Sequence, residues 1–485
     1  MKSNSFILTI CFLLIFSIIK LQAQDTHYWS QQFGTESALL SGAVVGGNND
    51  NTMIYYNPGA LGFLDNSSIS VNANAYRIEN IKIENALGEK ADFKSSQLGS
   101  VPLLTGGMIN IKDKRWKIGY SFMSPVQFNF KGIARKDGYF DLVDDIESPG
   151  DEEFVGESGI SSKLSEILIV LGAARQLNEN WSVGLSNLFT VRSNSYLRNF
   201  STYAFLNNPE NTMISAQLTQ NVDYYNVRYA AKVGLAYKKD KWRAGLTVTT
   251  PSINIMGVGT VAANISAYNL KLLDDNRVTA VATDRQSELK TRFKSPLSVS
   301  AGLNYNGDRS SYGIAVQYYA SIGMYDIMDV QPSTFVRPAD LAPQIGSDEF
   351  MNVRAAAKSV INVAIGYEYL LKENITLYFS GRNDMSYYDN DLTDTRGIRT
   401  TVSSWDIYHF ATGVTFKTVQ SSLSLGLLYS TGKTNKYEQN GNTNPDDLSF
   451  LEGVTTITAA NYNSIGLLLG YTFFFKKFSL ASESF

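Results

Sequence analysis

Cysteine is all but absent from this chain of 485 residues: Cys11 is the only one. It lies in the apolar stretch FILTICFLLIFSII behind Lys2, and the KLQAQ that follows puts Leu21 and Ala23 at the −3 and −1 positions before Gln24. This is the pattern of a cleaved secretory leader over 1–23, not of a membrane anchor. Cys11 does not stand at the cleavage point, so a lipoprotein leader is not expected. The mature chain then carries no cysteine, which excludes a disulfide framework and thiolate chemistry. Histidine is nearly as scarce, and His27 and His409 alone cannot build a multi-histidine metal site. There is no Gly-x-Ser-x-Gly turn to present a nucleophile. No apolar run beyond the leader reaches ~18 residues, so a spanning helix is not expected. Basic charge is also lacking: 42 Lys and Arg stand against 45 Asp and Glu, and the leader removes Lys2 and Lys20. Nothing remains to attract nucleic acid.

What is plentiful is aromatic side chain and glycine, with 28 Tyr, 26 Phe, 5 Trp and 37 Gly. In KDKWRAGLTVTTP (239–251), Trp242, Ala244, Leu246 and Val248 alternate with Arg243, Gly245, Thr247 and Thr249. A period of two makes a strand with one apolar and one polar face. KDKRWKIGYSF (112–122) and NENWSVGL (178–185) repeat the design, so Trp116, Trp181 and Trp242 each follow a polar turn. One such case could be a simple strand end. Three favour an aromatic belt at the level of lipid headgroups.

Alternating stretches fall near 68–78, 103–112, 115–130, 165–177, 180–196, 217–238, 241–256, 292–306, 310–322, 358–370, 373–386, 403–417, 420–432 and 460–475. That is about fourteen, an even number, as single-chain bacterial barrels require. Short connections such as KDKR, LNEN, KKDK and LKEN interleave with long ones near 79–102, 131–164, 197–216, 257–291, 323–357, 387–402 and 433–459. Composition alone leaves a large soluble β protein as the alternative, but such a protein has no reason to segregate loop length. Periplasmic turns and extracellular loops do. The expected fold is all-β, a 14-stranded antiparallel transmembrane β-barrel over 67–475 in a Gram-negative outer membrane, with a tail at 476–485.

Residues 24–66 do not alternate. Small residues, a GGNND cluster and Asn-Pro-Gly argue for a compact irregular segment, and a barrel this wide must hold something or leak. An N-terminal plug in the lumen is expected. Here SGAVVGG, the polar turn NNDNT and YYNPGALGF leading into an alternating strand resemble the start of the FadL-type family of outer-membrane transporters for long-chain fatty acids and other hydrophobic compounds. The resemblance places the family's plug signature on Asn57, Pro58, Gly59, Ala60 and Leu61, with Gly59 where members usually carry Ala.

Strand phase supplies further candidates. If Val227, Tyr229 and Val233 face lipid, Arg228 and Lys232 face the lumen, and the same logic turns Arg192, Glu368, Arg382 and Asp384 inward. Most such charges pair with one another or with the plug, while a few could attract a substrate carboxylate. In WKIGYSFMSPVQFNF, Trp116, Ile118, Tyr120 and Phe122 face lipid, with Val126, Phe128 and Phe130 read as continuing in phase. Pro125 lacks the amide hydrogen of a ladder, so either the strand ends there or the wall opens. The resemblance implies a kinked third strand with a lateral gap, which puts a lateral opening at Met123, Ser124, Pro125 and Val126.

The apolar stretches 253–270 and 319–330 read as loop material for a capture site. The acidic stretch 141–154 reads as a solvated loop, and GLLYSTGKT (426–434) as strand, not phosphate loop. No catalytic residue, metal or cofactor is indicated. The function implied is passive transport of hydrophobic small molecules or lipids through a membrane coated with lipopolysaccharide. The alternative is a FadL-like barrel serving as a structural or shuttle subunit of an outer-membrane secretion or assembly complex. A lipid hydrolase using His409 is a weaker rival.

Overall fold

In the computed structural model, the described residues are 26–475 except 112, 114, 144–145, 272–276, 340–344, 390–396, 440, 442 and 444–455. The leader 1–23 and the tail 476–485 fall outside them. The wall begins with β1 (Ser68–Ile83) and β2 (Phe93–Asn110), then β3 (Trp116–Met123) continuing as β4 (Gln127–Phe140). Next come β5 (Glu152–Gln176), β6 (Trp181–Phe205) and β7 (Met213–Lys239). The seventh stave is β8 (Trp242–Thr249) with β9 (Ile253–Lys271), and the eighth is β10 (Arg277–Lys290) with β11 (Ser298–Asn306). After β12 (Ser310–Tyr319) the chain makes β13 (Ile322–Met328), β14 (Val336–Arg337) and β15 (Val353–Ala357). It closes with β16 (Val360–Lys372), β17 (Ile375–Asp384), β18 (Ile407–Lys417), β19 (Ser421–Glu438) and β20 (Ile457–Phe474). Neighbours pair antiparallel, and β20 returns to β1 from Ser68↔Phe474 to Ile83↔Ala460. The result is a closed barrel of 14 staves, its first and last paired with each other.

Its outer face is apolar where a soluble protein would be polar. Ile118 and Phe122, Val233 and Leu235, Leu246 and Val248, Leu423 and Leu425, and Leu467 and Leu469 all point outward and are exposed. A contiguous apolar band with a polar interior is stable only against lipid. Near the short turns lie the rings that bound it. Trp181 meets Tyr237 at 4.7 Å, Trp242 meets Tyr305 at 5.0 Å, and the Arg175 guanidinium sits 5.5 Å over Trp116. Among the described residues no helix is long and apolar enough to cross a membrane; the strands do the crossing.

Four of the expected long loops are wall. The segments 79–102, 131–164, 197–216 and 257–291 contain the far ends of β1/β2, β4/β5, β6/β7 and β9/β10, which pair on well past the apolar band. A 25-residue strand such as β5 is about 80 Å long at ~3.3 Å per residue, whereas ~9–11 residues cross the bilayer core. The stretch 253–270 is therefore a stave and not a capture loop. Ile253, Ile255 and Met256 lie on its outer face, and Val261, Ala263 and Ile265 are buried inside. In 319–330 the apolar residues Ile327, Met328 and Val330 join the same inner cluster with Phe335 and Phe350. The stretch 426–434 lies within β19, and Ser310–Tyr319 ends before the expected 322.

Candidate functional site: the lumen and the break in the wall

Residues 26–64 are buried against the inward-facing side chains of the wall. A helical turn at Met53–Tyr56 is followed by another at Pro58–Leu61. Proline suits the first helical position because its missing amide hydrogen would have no partner there. Asn57 caps the second turn: its Oδ1 accepts the Gly59 amide hydrogen at 3.0 Å. Its Nδ2 donates to Val45 O at 2.8 Å and to Leu235 O of the wall at 3.1 Å. The carbonyls of the first turn are taken up by the barrel, Ser186 donating to Ile54 O and Lys232 to Tyr55 O, both at 2.6 Å. Ala60 and Leu61 are buried beside them.

Glycines of the wall make this seat. A Cβ added at Gly59 would lie 2.7 Å from Gly234 O, and one at Gly302 would lie 2.8 Å from Gly46 N. At Gly184, Gly245 and Gly313 the same addition would run into the carbonyls of Pro58, Val45 and Ala43. Backbone therefore packs on backbone around much of the circumference. The Gly59 that departs from the family pattern faces Gly234, at a point where a side chain has no room.

The third stave breaks where Pro125 stands. β3 pairs with β2 up to Leu104↔Met123, and Ser124 N–H donates to Leu103 O at 3.0 Å. Beyond that, β4 pairs with β5 alone; it meets β2 through Asn129 Nδ2 to Gln97 Oε1 at 3.2 Å, Lys131 N to Ser95 Oγ at 3.1 Å and the Phe130 ring against Phe93 at 6.3 Å. Met123 faces Leu168 and Gln127 faces Ser165, so three residues oppose two. That is a one-residue bulge, and it corrects the expected phase. An extra residue turns every later side chain to the other face. Phe128 and Phe130 are buried in the lumen, while Ile133 is exposed outside.

Against the break lies a cavity of about 170 Å³, its lining including Pro125, Val126, Thr249, Ser295 and Pro296. Val126 O accepts the Glu166 amide hydrogen at 2.9 Å. The Glu166 carboxylate sits between Arg192 and Arg228, each donating to Oε1 at 2.8 Å. Both guanidiniums lie over the Phe293 ring, at 3.8 and 5.1 Å. Glu166 is a lumen carboxylate that the phase reading omitted. Removing it strands two buried cations, so Glu166→Leu is expected to cost about 3–5 kcal/mol, and changing all three residues to apolar ones much less. Urea unfolding midpoints in lipid vesicles would read the difference.

Two of the other lumen candidates, Arg382 and Asp384, hold the N-terminal segment. Arg382 donates to Trp29 O at 3.0 Å, and Asp384 accepts the Trp29 amide hydrogen at 3.1 Å. Glu368 is half-buried inside the wall. His409 bonds Ser430 Oγ at 2.7 Å, with Asp384 3.8 Å from its other ring nitrogen. The set resembles a hydrolytic triad, but the adjoining hollow of about 30 Å³ has room for a water and not for an ester.

No family model and no curated protein matches the chain. Solved structures do. A FadL homologue of Pseudomonas aeruginosa superposes with a TM-score of 0.56 at 14% identity, covering 95% of this chain and 100% of that one. The toluene transporter TodX of P. putida gives 0.54 at 13% identity over 92% and 99%. The toluene transporter TbuX of Ralstonia pickettii gives 0.52 at 13% over 92% and 99%.

Proposed function

Because the chain folds as a FadL-type outer-membrane barrel, we propose that it passively carries small hydrophobic compounds inward past lipopolysaccharide and releases them sideways into the membrane. The observation that carries this reading is the meeting of cavity and break: Pro125 and Val126 line the one and form the other. A solute in the cavity faces a stretch of wall where the backbone ladder has been exchanged for two hydrogen bonds to side chains and one ring contact, which part more easily than a ladder. Residues 24–66 act as the plug that closes the way straight down, so the side exit is the open one. The apolar inner face above, with Ile160, Val222, Val261 and Phe335, supplies a greasy approach from outside. Two of the structural neighbours are toluene transporters, which supports an apolar cargo.

A tether across the break tests this. Gln97 and Asn129 face each other there, and the expected mature chain has no cysteine to interfere. Joining Gln97→Cys to Asn129→Cys with a short bis-maleimide should abolish most uptake of labelled toluene by intact cells. Each single variant treated alike should keep it. Full uptake through the tethered barrel would sink lateral release.

A further inference from the structure

The cavity against Pro125 carries more positive charge than a passage for hydrocarbons needs. Arg192, Arg228 and Lys232 line it from the wall and Lys294 from its rim, and Glu166 is the one carboxylate among its described lining residues. Arg228 is 5% exposed; its Nε donates to Ser295 Oγ at 2.7 Å and its Nη2 to Glu166, while Nη1 makes no hydrogen bond to a described residue. Lys232, 6% exposed, donates to the Tyr55 carbonyl and makes no ion pair with a described residue. Both cations rest against rings, Arg228 over Phe293 and Lys232 4.4 Å over Tyr55, and an anion in the cavity would match the charge that the single carboxylate leaves unbalanced.

Aromatic rings, most of them tyrosines, gather in the lining beside these charges. Tyr28 stacks between Tyr319 and Tyr387 with centroids 4.1 and 4.4 Å away, and Tyr55 and Phe293 close other sides. A cavity of about 170 Å³ is close to the ~150 Å³ that holds a single benzene ring in a protein interior.

We infer that this cavity binds a small aromatic anion, a single ring bearing a carboxylate, in preference to a neutral hydrocarbon or a long acyl chain. The ring lies among the tyrosines, and the carboxylate takes Arg228 Nη1 and the Lys232 ammonium. The inference rests on the transport reading only in that a solute must reach the cavity.

Calorimetry on the purified full-length barrel in detergent, with benzoate and its neutral near-isostere toluene, tests it. The barrel should bind benzoate at least tenfold more tightly than toluene. Arg228→Met and Lys232→Met should each cut that ratio at least tenfold, as expected for one charged hydrogen bond. Heat-modifiable mobility on gels shows whether each variant is folded, and Lys232→Met serves if Arg228→Met is not. Toluene bound as tightly as benzoate, or a ratio unmoved in both folded variants, would overturn the anion site and leave lateral transport standing. Benzoate binding that persists while the tethered barrel transports freely would overturn lateral release and leave the site.

Discussion

Deletion of residues 24–66 is expected to turn a silent barrel into a conducting one. No stave depends on this segment for its ladder, since β1 begins at Ser68 and closes on β20. The barrel should therefore insert and fold without it. What the deletion removes is filling: Phe33, Leu39, Val44, Met53, Ile54 and Leu61 are each at most 1% exposed in the lower lumen. The wall groups that held the segment, among them Lys232, Arg382, Asp384 and Lys417 (which pairs with Glu36 at 2.8 Å), become hydrated and lose little. Water then fills a bore that 14 staves leave too wide for side chains alone to close. Planar bilayer recordings should show steady ion currents from the deleted form and none from the parent. A folded but silent deletion form would instead assign the seal to Phe335, Phe350 and Trp405 above.

The lower half of this barrel was legible because lipid imposes one rule on every stave. Where Trp242, Ala244, Leu246 and Val248 meet the bilayer, apolar residues point out and alternation is clean. The upper half obeys the opposite rule. In β5, Ile167 and Leu171 are exposed to lipid, whereas Phe154, Ile160 and Leu164 are buried inside. In β7, Val233 and Leu235 face out, and Leu218 and Val222 face in. The apolar phase thus reverses as each strand leaves the membrane and water takes over the outer face. A reading that follows one phase loses the strand at that point, which is why four wall extensions looked like loops.

The site was legible in part, for a related reason. Proline at 125 announces an interruption, but the residue count around it does not announce a bulge, so the phase of Phe128 and Phe130 was read backwards. Glu166 needed pairing and not phase. It stands directly opposite Arg192 across the β5–β6 hairpin, a register that counting outward from the Leu177–Asn180 turn would have found. The cavity itself unites staves three to nine with the N-terminal segment, and no local pattern encodes that meeting.

The glycines were in plain view and went unread. Each belt tryptophan is followed three residues later by one: Trp116 by Gly119, Trp181 by Gly184, Trp242 by Gly245. An odd offset in a strand puts the two on opposite faces, so the indole meets lipid where the missing side chain meets the plug. A Cβ at Gly119 would press on Ile54, and at Gly184 and Gly245 on plug carbonyls. Gly245 also sits directly across from Gly302, so Val45 and Gly46 dock on two bare backbones. Filling that seat should unseat the plug without harming the wall. Gly245→Val with Gly302→Val is expected to cost roughly 1–3 kcal/mol per site by overpacking, borne by the docked segment because the staves remain paired. Gly99→Ala, where a Cβ meets nothing within 4 Å, is the control. The double variant should insert normally, release residues 24–66 to protease added from the turn side, and pass intermittent ion currents below those of the full deletion. A double variant as protected and as silent as the parent would mean that the segment is held by its side chains and not by the glycine seat.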